Sequence, residues 1–497
     1  MRFLASAACI LSLTACGGDD GNPPPPPPPA NSAPTITSAA AAQSVENTAT
    51  AYQVQANDAD GDSLTYAISG GADASLFAIN ASGSLRFNAP PNFELPRDTN
   101  QDNAYRVNVT VSDGAASASI NLTITVTNDR EGIAVRRIAT GFDQPTYIAP
   151  IPGEDDVFVI EKGGRLLRLD PDTGQRNTVR TLQNVSSAGE GGLLGIAMPS
   201  NYQTDRFIYV FVTNANGDIE IRRFRENGFE PPQGSASLLT IPHPNFTNHY
   251  GGWIGFGPDD LLYIATGDGG GSGDPDDNAQ DPDSRLGKIL RVGINPDPFA
   301  GASPSFLVIP PDNPFANGGG AREVYALGLR NPFRASFLDD DILVGDVGQD
   351  SFEEVNRFSA DDDEAINLGW PFREGSANFR GTPPDDLTGP VTEYENGTGP
   401  RQGASVIGGV VYDGAIADLF GKYIFADFIS GNIWSVPIGA LDDDDDDILP
   451  SSEYERRNAD FEPDAGSIDQ IVAIVRSDSG DLYIVDFDGE IFVVEAA

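Results

Sequence analysis

The sequence predicts an all-β protein, in which a β-sandwich precedes a six-bladed β-propeller. Apolar and polar residues alternate through most of the chain after residue 33, which is the period of half-buried strands. Turn residues separate these segments, and no stretch of the body shows a helical period. A strand–turn–strand unit then recurs six times, at spacings of roughly 50 to 80 residues that suit four-stranded propeller blades.

The amino terminus predicts export and lipid anchoring. One basic residue and a short apolar segment lead to LTAC at Leu13–Cys16, and the segment is too short to cross a bilayer as a finished helix. LTAC resembles the bacterial lipobox, so residues 1–16 are expected to be a lipoprotein signal peptide and Cys16 the lipidated residue. Gly17 favours the outer membrane, with the protein facing the periplasm or the exterior. The alternative is an ordinary cleaved signal.

The composition bounds the possible partners. The formal net charge is −44, with 74 acidic and 30 basic residues, which argues against nucleic-acid binding and favours cations and neutral substrates. Both cysteines precede residue 17, so the body of the protein has no disulfide bond. Seven prolines at Pro23–Pro29 make residues 17–33 a stiff, extended linker.

Two domains are expected after the linker. Short alternating strands with turn residues between them predict a sandwich over residues 34–130. Residues 132–497 contain the repeat, and a strand near AVRRIATGF is expected to complete the last blade and close the ring. The six copies are DVFVIEKGGRLLRL, RFIYVFVTNANGDIEIRRF, DLLYIATGDGG with GKILRVGI, DILVGDVGQDSFEEVNRF, KYIFADFISGNIWSV and DLYIVDFDGEIFVV.

Six stretches of the repeat region resemble the glucose/sorbosone dehydrogenase family, soluble sugar dehydrogenases that use pyrroloquinoline quinone (PQQ). They occur in the family's order and cover nearly the whole region. The resemblance implies oxidation of aldose sugars to lactones, with PQQ and calcium as cofactors. The stretches are GEGGLLGIAMPSNY, NHYGGWIGFGPDDLLYIATGDGG, NAQDPDSRLGKILRV, VYALGLRNPFRASF, GDVGQDSFEEVN and NLGWPFREG.

The resemblance gives one of the two histidines a chemical role. In active family members, the histidine of the His-x-Gly-Gly stretch, here His249, is the general base beside the quinone. An imidazole suits this step because its ordinary pKa leaves it neutral enough at periplasmic pH to accept a hydroxyl proton. Side chains cannot accept hydride, so a cofactor must. His243 has no such match and is expected at the surface.

Other positions follow from the same resemblance. Arg330 and Asn331, in GLRNP, are expected to contact the quinone oxygens, since a guanidinium group suits a planar, carboxylated cofactor. GDVGQDSFEE resembles the calcium loop of the family. Its ligands would be the backbone carbonyls of Gly348 and Gln349 and the carboxylate of Glu353. A solvated acidic strand end is the alternative for Glu353.

The sequence departs from the proven quinoproteins at three places. Glu190 replaces a glutamine and adds negative charge at the expected cofactor contact. Ile429 stands where those enzymes have a lysine, and IDQIVAIV stands where they have a pair of arginines. Arg476, Lys422 or Arg401 are the candidates to replace these cations. This pattern is nearer to the hedgehog-interacting-protein-like branch, whose best-known relatives bind partners.

Residues 34–129 resemble a cadherin-like repeat through SVEN, NDADGDSLTYAISGG, PNFE, YRVNVTVSDG and TVTND. The resemblance implies calcium binding by carboxylates at strand ends, because calcium prefers several oxygen ligands. Asx-Gly turns that need no metal are the alternative for DADGD. The residues expected to bind calcium are Glu46, Asp58, Asp60, Glu94 and Asp113.

Two functions remain open from the sequence. One is a PQQ- and calcium-dependent aldose dehydrogenase at the cell surface, acting on a small neutral sugar. The other is a non-catalytic, calcium-dependent adhesion or carbohydrate-binding lipoprotein, with a cell-surface or carbohydrate partner for its cadherin-like domain. The charges at the expected quinone contacts discriminate between them.

Overall fold

A computed structural model describes most of the chain after the predicted linker. The described ranges are residues 30–226, 236–295, 305–361, 364–442, 448–477 and 479–497. Cys16 and the predicted signal peptide lie outside them. The chain divides into two compact units: the smaller contains the chain up to Ser44, Ala49–Ala89 and Ala104–Thr125, and the larger contains Val45–Thr48, Pro90–Asn103 and Val126–Ala497.

The first nine strands form the predicted sandwich region. Strands β2, β9, β8 and β5 make a four-stranded sheet in that order, β3, β7 and β6 make a three-stranded sheet, and β1 pairs with β4. The strands are β1 (Thr35–Ile36), β2 (Ala41–Val45), β3 (Thr50–Gln53), β4 (Ala56–Asn57), β5 (Thr65–Gly70), β6 (Phe77–Ile79), β7 (Ser84–Phe87), β8 (Ala104–Ser112) and β9 (Ser117–Thr127).

The alternation in the sequence accounts for the core of the smaller unit. In β8 every second residue from Tyr105 to Val111 is buried, which gives that strand one face in the core. The Phe87 ring of the three-stranded sheet lies 5.2 Å from the Tyr105 ring of the four-stranded sheet, at 78°. Such edge-to-face contacts join the two sheets into a sandwich.

The larger unit begins with β10 and then builds its first three sheets. Each of these three sheets is antiparallel, except that β23 of the third sheet pairs in parallel with β27. The elements are β10 (Ile133–Thr140), β11 (Pro145–Pro150), β12 (Val157–Glu161), β13 (Arg165–Leu169), β14 (Arg176–Thr181), β15 (Leu193–Ala197), α1 (Tyr202–Asp205), β16 (Phe207–Thr213), β17 (Ile219–Arg225), β18 (Ala236–Ile241), β19 (Ile254–Phe256), β20 (Leu262–Thr266), β21 (Lys288–Ile294), β22 (Leu307–Val308) and β23 (Val324–Leu327).

Three further sheets and one short hairpin complete this unit. The strands are β24 (Pro332–Leu338), β25 (Asp341–Asp346), β26 (Phe352–Ser359), β27 (Ile366–Asn367), β28 (Arg373–Glu374), β29 (Ala377–Asn378), β30 (Thr392–Glu395), β31 (Val406–Val411), β32 (Lys422–Asp427), β33 (Ile433–Pro437), β34 (Leu449–Pro450), β35 (Glu455–Arg456), β36 (Ile471–Arg476), β37 (Leu482–Asp486) and β38 (Glu490–Ala496). Short 3-10 turns lie at Ala74–Leu76, Arg130–Gly132, Ile438–Ala440 and Ser451–Glu453.

Each of the six sequence repeats supplies the middle of one sheet. The sheets run β11 to β14, β15 to β18, β19-β20-β21-β23, β24-β25-β26-β30, β31-β32-β33-β35 and β36-β37-β38-β10. The last sheet therefore takes its fourth strand from the start of the unit. Val135 of β10 pairs with Val494 of β38, as the sequence predicts for the strand near AVRRIATGF.

The first strands of all six sheets line one cavity of about 280 Å³. One lining residue from each strand is Ala149, Ile196, Ile254, Ala335, Val410 and Val475. Apolar clusters fill the space between successive sheets; one contains Ile424 of β32 together with Ile484 and Phe492 of the last sheet. Within the described ranges, no helix is long and apolar enough to cross a lipid bilayer.

Candidate active site

His249 meets an aspartate at one end of the third sheet. His249 lies before β19, Asp268 lies after β20, and these strands are antiparallel neighbours, so both residues come to the same end of the sheet. The Nδ1 atom of His249 is 2.8 Å from Oδ1 of Asp268, and the two side chains are 5% and 0% exposed. The sequence analysis missed Asp268, although its place after the neighbouring strand, in TGDGGG, was a usable signal.

Both carboxylate oxygens of Asp268 accept hydrogen bonds, which fixes the orientation of its side chain. Oδ1 also accepts a hydrogen bond from the Gly270 backbone N–H at 2.9 Å, and Oδ2 accepts one from the Trp370 indole N–H at 2.9 Å. A carboxylate held in this way accepts a hydrogen bond from the Nδ1–H of the imidazole and leaves the lone pair on Nε2. Among the residues described, none makes a hydrogen bond to Nε2 of His249.

The backbone of His249 is held in an uncommon conformation. Its φ is +54°, in the left-handed region that non-glycine residues seldom adopt. The His249 N–H donates to Oε2 of Glu190 at 2.7 Å, and the His249 carbonyl lies 3.4 Å from Nε2 of His243. Glu190 therefore contributes a positioning contact as well as a charge.

His243 is a correction to the sequence analysis, which placed it at the surface. It is 3% exposed, and its ring stacks on Tyr250 at 4.1 Å between centroids and 18° between planes. Burial lowers the pKa of its imidazole. The surface expectation rested on the lack of a family match, but packing against Tyr250 and the His249 carbonyl buries the ring.

Arg330 and Asn331 come to the same end of the sheets as His249. Their backbone N–H groups donate to the two oxygens of Asp346, at 2.9 and 2.6 Å. Asn331 Oδ1 accepts a hydrogen bond from the Gly251 N–H at 2.9 Å, and Asn331 Nδ2 is 3.5 Å from Oε2 of Glu190. The structure thus brings together all four residues that the sequence assigned to the base and the quinone contacts.

The Arg330 guanidinium group keeps unused hydrogen-bonding capacity. It donates to the Val347 carbonyl at 2.8 Å and lies 5.6 Å above the Trp370 ring. Its Nε is buried and, within the described part of the chain, has no hydrogen-bond partner. A buried donor without a partner is costly, so this group suits an additional acceptor such as a carboxylate or quinone oxygen.

The predicted calcium loop has a more closed geometry than expected. Glu353 is fully buried, and its Oε2 accepts the backbone N–H groups of Val406 and Gly348, at 2.9 and 3.3 Å. Its Oε1 is buried without a partner among the described residues. Burial raises the pKa of Glu353 to about 8. The side chain thus connects two sheets, and its role as a calcium ligand stays a prediction.

Cations that the sequence analysis did not assign offset part of the expected charge deficit. Lys162 donates from Nζ to the Gly189 carbonyl at 2.7 Å, and burial lowers the pKa of its ammonium group while the Glu190 charge opposes that shift. Arg334 is buried on the backbone carbonyls of Thr146, Val472 and Phe333. The Arg334 guanidinium group lies next to Gly252: a Cβ atom added at Gly252 would be 3.6 Å from Nη1 of Arg334.

The cations proposed as replacements are bound elsewhere. Arg476 pairs with Asp413 at 2.7 Å, and Lys422 pairs with Glu455 at 2.7 Å. Arg401 donates to the Tyr454 carbonyl at 2.9 Å. Ile429, at the position of the family lysine, is 64% exposed and brings no charge. Lys162 and Arg334 are therefore better candidates than these three.

The five predicted calcium donors of the amino-terminal region do not form one group. In the smaller unit, Asp58 and Asp60 lie with Asp62, their oxygens within 4.8 Å of one another. Asp113 is not in that group, and its Oδ2 accepts a hydrogen bond from Asn31 at 3.0 Å. Glu46 and Glu94 belong to the larger unit, since their segments pack with it.

Glu131, which the sequence analysis did not assign, joins Glu46 and Glu94. Oxygens of these three carboxylates lie within 4.8 Å of one another. Glu94 is 1% exposed, and its Oε2 has no hydrogen-bond partner in the described ranges. Burial, followed by the charges of Asp460 and Glu46, raises the pKa of Glu94 to about 10. A divalent cation would stabilise such a group of buried oxygens.

Comparison with known proteins identifies the class of the protein. The family model for "Glucose / Sorbosone dehydrogenase" matches residues 142–448, and a bacterial Ig domain model matches residues 31–127. The chain therefore belongs to the glucose/sorbosone dehydrogenase family and carries an Ig-like domain before it.

The chain is similar to relatives from the hedgehog-interacting-protein-like branch of that family. HIPL1 protein of Arabidopsis thaliana is 36% identical over 231 residues, which are 41% of this chain and 32% of the relative. Hedgehog-interacting protein of Mus musculus is 25% identical over 324 residues, 59% of this chain and 42% of the relative. The chain thus matches less than half the length of these two proteins.

A solved structure shows the same β architecture. The PQQ-bound form of aldose sugar dehydrogenase from Streptomyces coelicolor is 26% identical, with a TM-score of 0.54, and covers 73% of this chain and 98% of its own. Over about three quarters of its length, the chain is therefore similar in fold to an aldose sugar dehydrogenase whose structure contains PQQ.

Proposed function

We propose that this protein oxidises neutral aldose sugars to lactones, with His249 as the general base. Membership of a sugar dehydrogenase family supports sugar oxidation in general terms. The observation that carries the finer proposal is the pairing of His249 with the buried Asp268, which leaves Nε2 without a partner among the described residues. A base oriented by a second group is the arrangement that activates hydroxyl groups in many enzymes.

The residues present account for the proton transfer. Nε2 of His249 takes the proton from the anomeric hydroxyl of the sugar, and Asp268 stabilises the imidazolium ion that results. The Trp370 and Gly270 hydrogen bonds keep Asp268 aligned during this change of charge. Because the body of the protein is strongly acidic, neutral sugars are favoured over sugar phosphates or sugar acids.

The donors around His249 fit an anionic, planar cofactor such as PQQ. Arg330 offers the buried, unpartnered Nε, and Lys162 lies beside Glu190. We propose that these two cations would hold cofactor carboxylates and that Arg334, beside Gly252, would add positive charge. PQQ, when bound, supplies the acceptor for the hydride from the anomeric carbon, which no side chain can provide. Calcium at Gly348, Gln349 and Glu353 remains part of this proposal.

The architecture and location complete the proposal. We infer that the six sheets are the blades of a six-bladed propeller, which is consistent with the shared cavity and with β10 pairing with β38. A second calcium ion is proposed at Glu46, Glu94 and Glu131. We propose that Cys16 anchors the protein in the cell envelope, at the outer membrane, and that residues 17–33 are the spacer.

Reconstitution tests the enzymatic proposal. The purified chain without its lipid is incubated with PQQ and calcium, freed of unbound quinone, and assayed for dye reduction with a panel of aldoses. Retention of quinone and sugar-dependent dye reduction are expected. The proposal is wrong if quinone is retained and no aldose reduces the dye, or if no quinone is retained.

A non-catalytic binding function is the second candidate. Glu190 beside His249 and the uncharged Ile429 favour it, because both make the cleft less attractive to an anionic cofactor. On this alternative the propeller binds a carbohydrate or a cell-surface protein, as an adhesion lipoprotein would. Calcium-dependent binding of the quinone-free chain to cells or glycans, without dye reduction, would support it.

A further inference from the structure

Two half-exposed phenylalanines lie beside the candidate active site. Phe246 and Phe379 are each 38% exposed. Single exposed apolar residues need no explanation, but these two flank the same glycine-rich loop, Gly269–Gly273, which follows Asp268 directly. Phe246 precedes His249 by three residues, and Phe379 follows the β28–β29 hairpin.

Both rings rest against that loop. A Cβ on Gly271 would lie 2.9 Å from Cζ of Phe246, and a Cβ on Gly273 would lie 3.2 Å from Cε1 of Phe379. Both glycines have positive φ, of 83° and 70°. Glycine is thus required here both for the backbone conformation and for the close approach of the rings.

Phe379 is linked to the His249–Asp268 pair through Trp370. The Phe379 ring centroid is 4.9 Å from that of Trp370, with 33° between the planes. Trp370 in turn donates its indole N–H to Asp268 at 2.9 Å. Phe379 therefore stacks on the side chain that holds Asp268, and Phe246 rests on the loop that follows Asp268.

Hydrogen bonds hold Phe379 in place. Its backbone N–H donates to the Phe372 carbonyl at 2.8 Å. The next residue, Arg380, donates to the Gly273 and Asp274 carbonyls at 2.8 and 3.1 Å and pairs with Asp277. An exposed ring on a restrained segment loses little conformational freedom on binding.

The chemistry of the surface favours a sugar as the ligand. The C–H faces of a pyranose ring pack on flat aromatic rings while the hydroxyl groups at its rim remain hydrated. The net charge of −44 disfavours anionic ligands, which include nucleic acids and phosphosugars. A neutral saccharide can pack its C–H face on the rings and is not repelled by the negative charge of the protein.

We propose that Phe246 and Phe379 form an aromatic subsite for the sugar unit adjacent to the one at His249. The substrates of this protein are then neutral oligosaccharides, whose reducing-end unit lies at His249. The assignment of the reducing-end unit rests on the proposed function. Binding of the adjacent unit depends only on the two rings and can be measured without turnover.

The test compares saccharides of increasing length on the purified chain. Dissociation constants for glucose, maltose and maltotriose are measured by titration calorimetry for the original chain and for Phe246→Leu/Phe379→Leu. Leucine keeps an apolar cover over the glycine loop but removes the flat ring face. The matched control is Phe420→Leu, at a phenylalanine that is 64% exposed and lies between β31 and β32.

We expect the double variant to lose about tenfold in affinity for maltotriose, the size of a typical aromatic stacking contact, with less than about a twofold change for glucose. Phe420→Leu should leave the affinities for maltotriose and for glucose unchanged. Equal losses for all three sugars, no loss, or no saccharide binding by the original chain would each overturn the subsite. Length-dependent binding without dye reduction would uphold the subsite and reject the dehydrogenase.

Discussion

At the scale of single residues, Asp268 determines what His249 can do. An imidazole alone exchanges between two tautomers, whereas one paired with a buried carboxylate presents Nε2 as the acceptor. Because Asp268 also receives the Trp370 and Gly270 hydrogen bonds, the pair is held by three separate segments of the chain. The catalytic proposal therefore depends on Asp268 as much as on His249.

Asp268→Asn should lower kcat for glucose by roughly 10²- to 10⁴-fold. It should also lower the melting temperature, because the amide N–H₂ faces the N–H donor of either Gly270 or Trp370. An amide can donate to Nδ1 of His249, which would favour the tautomer with its proton on Nε2. The matched control is Asp339→Asn, at an exposed turn where asparagine tolerates the positive φ of 50°. A rate equal to that of the original chain would remove Asp268 from the mechanism.

Lys288 is a second residue whose burial has a measurable consequence. Its Nζ donates to the carbonyls of Asn278, Ala279 and Leu286, at 2.7, 3.0 and 2.8 Å. Burial lowers its pKa from 10.5 to about 7. The unfolded chain therefore binds more protons between these pH values, and the free energy of unfolding rises as the pH increases from 7 towards 10.

Lys288→Met should destabilise the fold and flatten this pH dependence. Loss of the ammonium group leaves three buried carbonyls without their donor, at a cost of about 1–3 kcal/mol or more. The original chain should gain up to about 1 kcal/mol of stability per pH unit relative to the variant. Urea denaturation between pH 7 and 9.5 measures both effects; parallel pH profiles would contradict the pKa of Lys288.

At the scale of elements, the pairing of β10 with β38 closes the larger unit. Val135 and Val494 are Cα partners in this pair, and both side chains are buried in one apolar cluster. The pair joins segments separated by most of the length of the unit. Closure of so long a chain segment is costly in entropy, and the packing of this pair in the apolar cluster offsets that cost.

A disulfide bond across this pair should stabilise the protein. In Val135→Cys/Val494→Cys, prepared without the two cysteines of the predicted signal segment, oxidation should raise the midpoint of guanidinium denaturation. Reductant should reverse the gain, and either single cysteine variant is the control. Failure of the two thiols to form a disulfide would contradict the register of β10 against β38.

At the scale of the whole molecule, the acidic composition should make stability depend on calcium. Glu46 and Glu94 are buried beside the half-buried Glu131, and the charge of Glu46 contributes to the raised pKa of Glu94. A cation that binds this group only in the folded protein stabilises it by mass action. Calcium at about a hundred times its dissociation constant would add about 2.7 kcal/mol.

Calcium should therefore raise the melting temperature of the full chain by several degrees, and chelation should reverse the effect. Glu131→Gln should abolish most of the calcium-dependent gain, while the exposed control Glu462→Gln should retain it. A calcium response that survives Glu131→Gln but is lost in Asp58→Asn would move the site to the smaller unit. No response to calcium would exclude both sites.

The sequence alone determined the all-β class and the repeat, and it named residues that the structure brings together. Local alternation and turn residues act within a few positions, so all six repeat copies form strand pairs in the structure. The motif with His249 and the one with Arg330 and Asn331 identified residues that meet at one end of the sheets. The resemblance to the sugar dehydrogenase family selected these residues, and they meet because each motif precedes the first strand of a sheet.

Only the tertiary structure decided which distant side chains meet. It paired His249 with Asp268, stacked the buried His243 on Tyr250, and placed Lys162 beside Glu190 and Arg334 beside Gly252. It also separated the predicted calcium donors and added Glu131 to one group. Burial and contact between sheets depend on the packing of the whole unit, and neither local pattern nor composition contains that information.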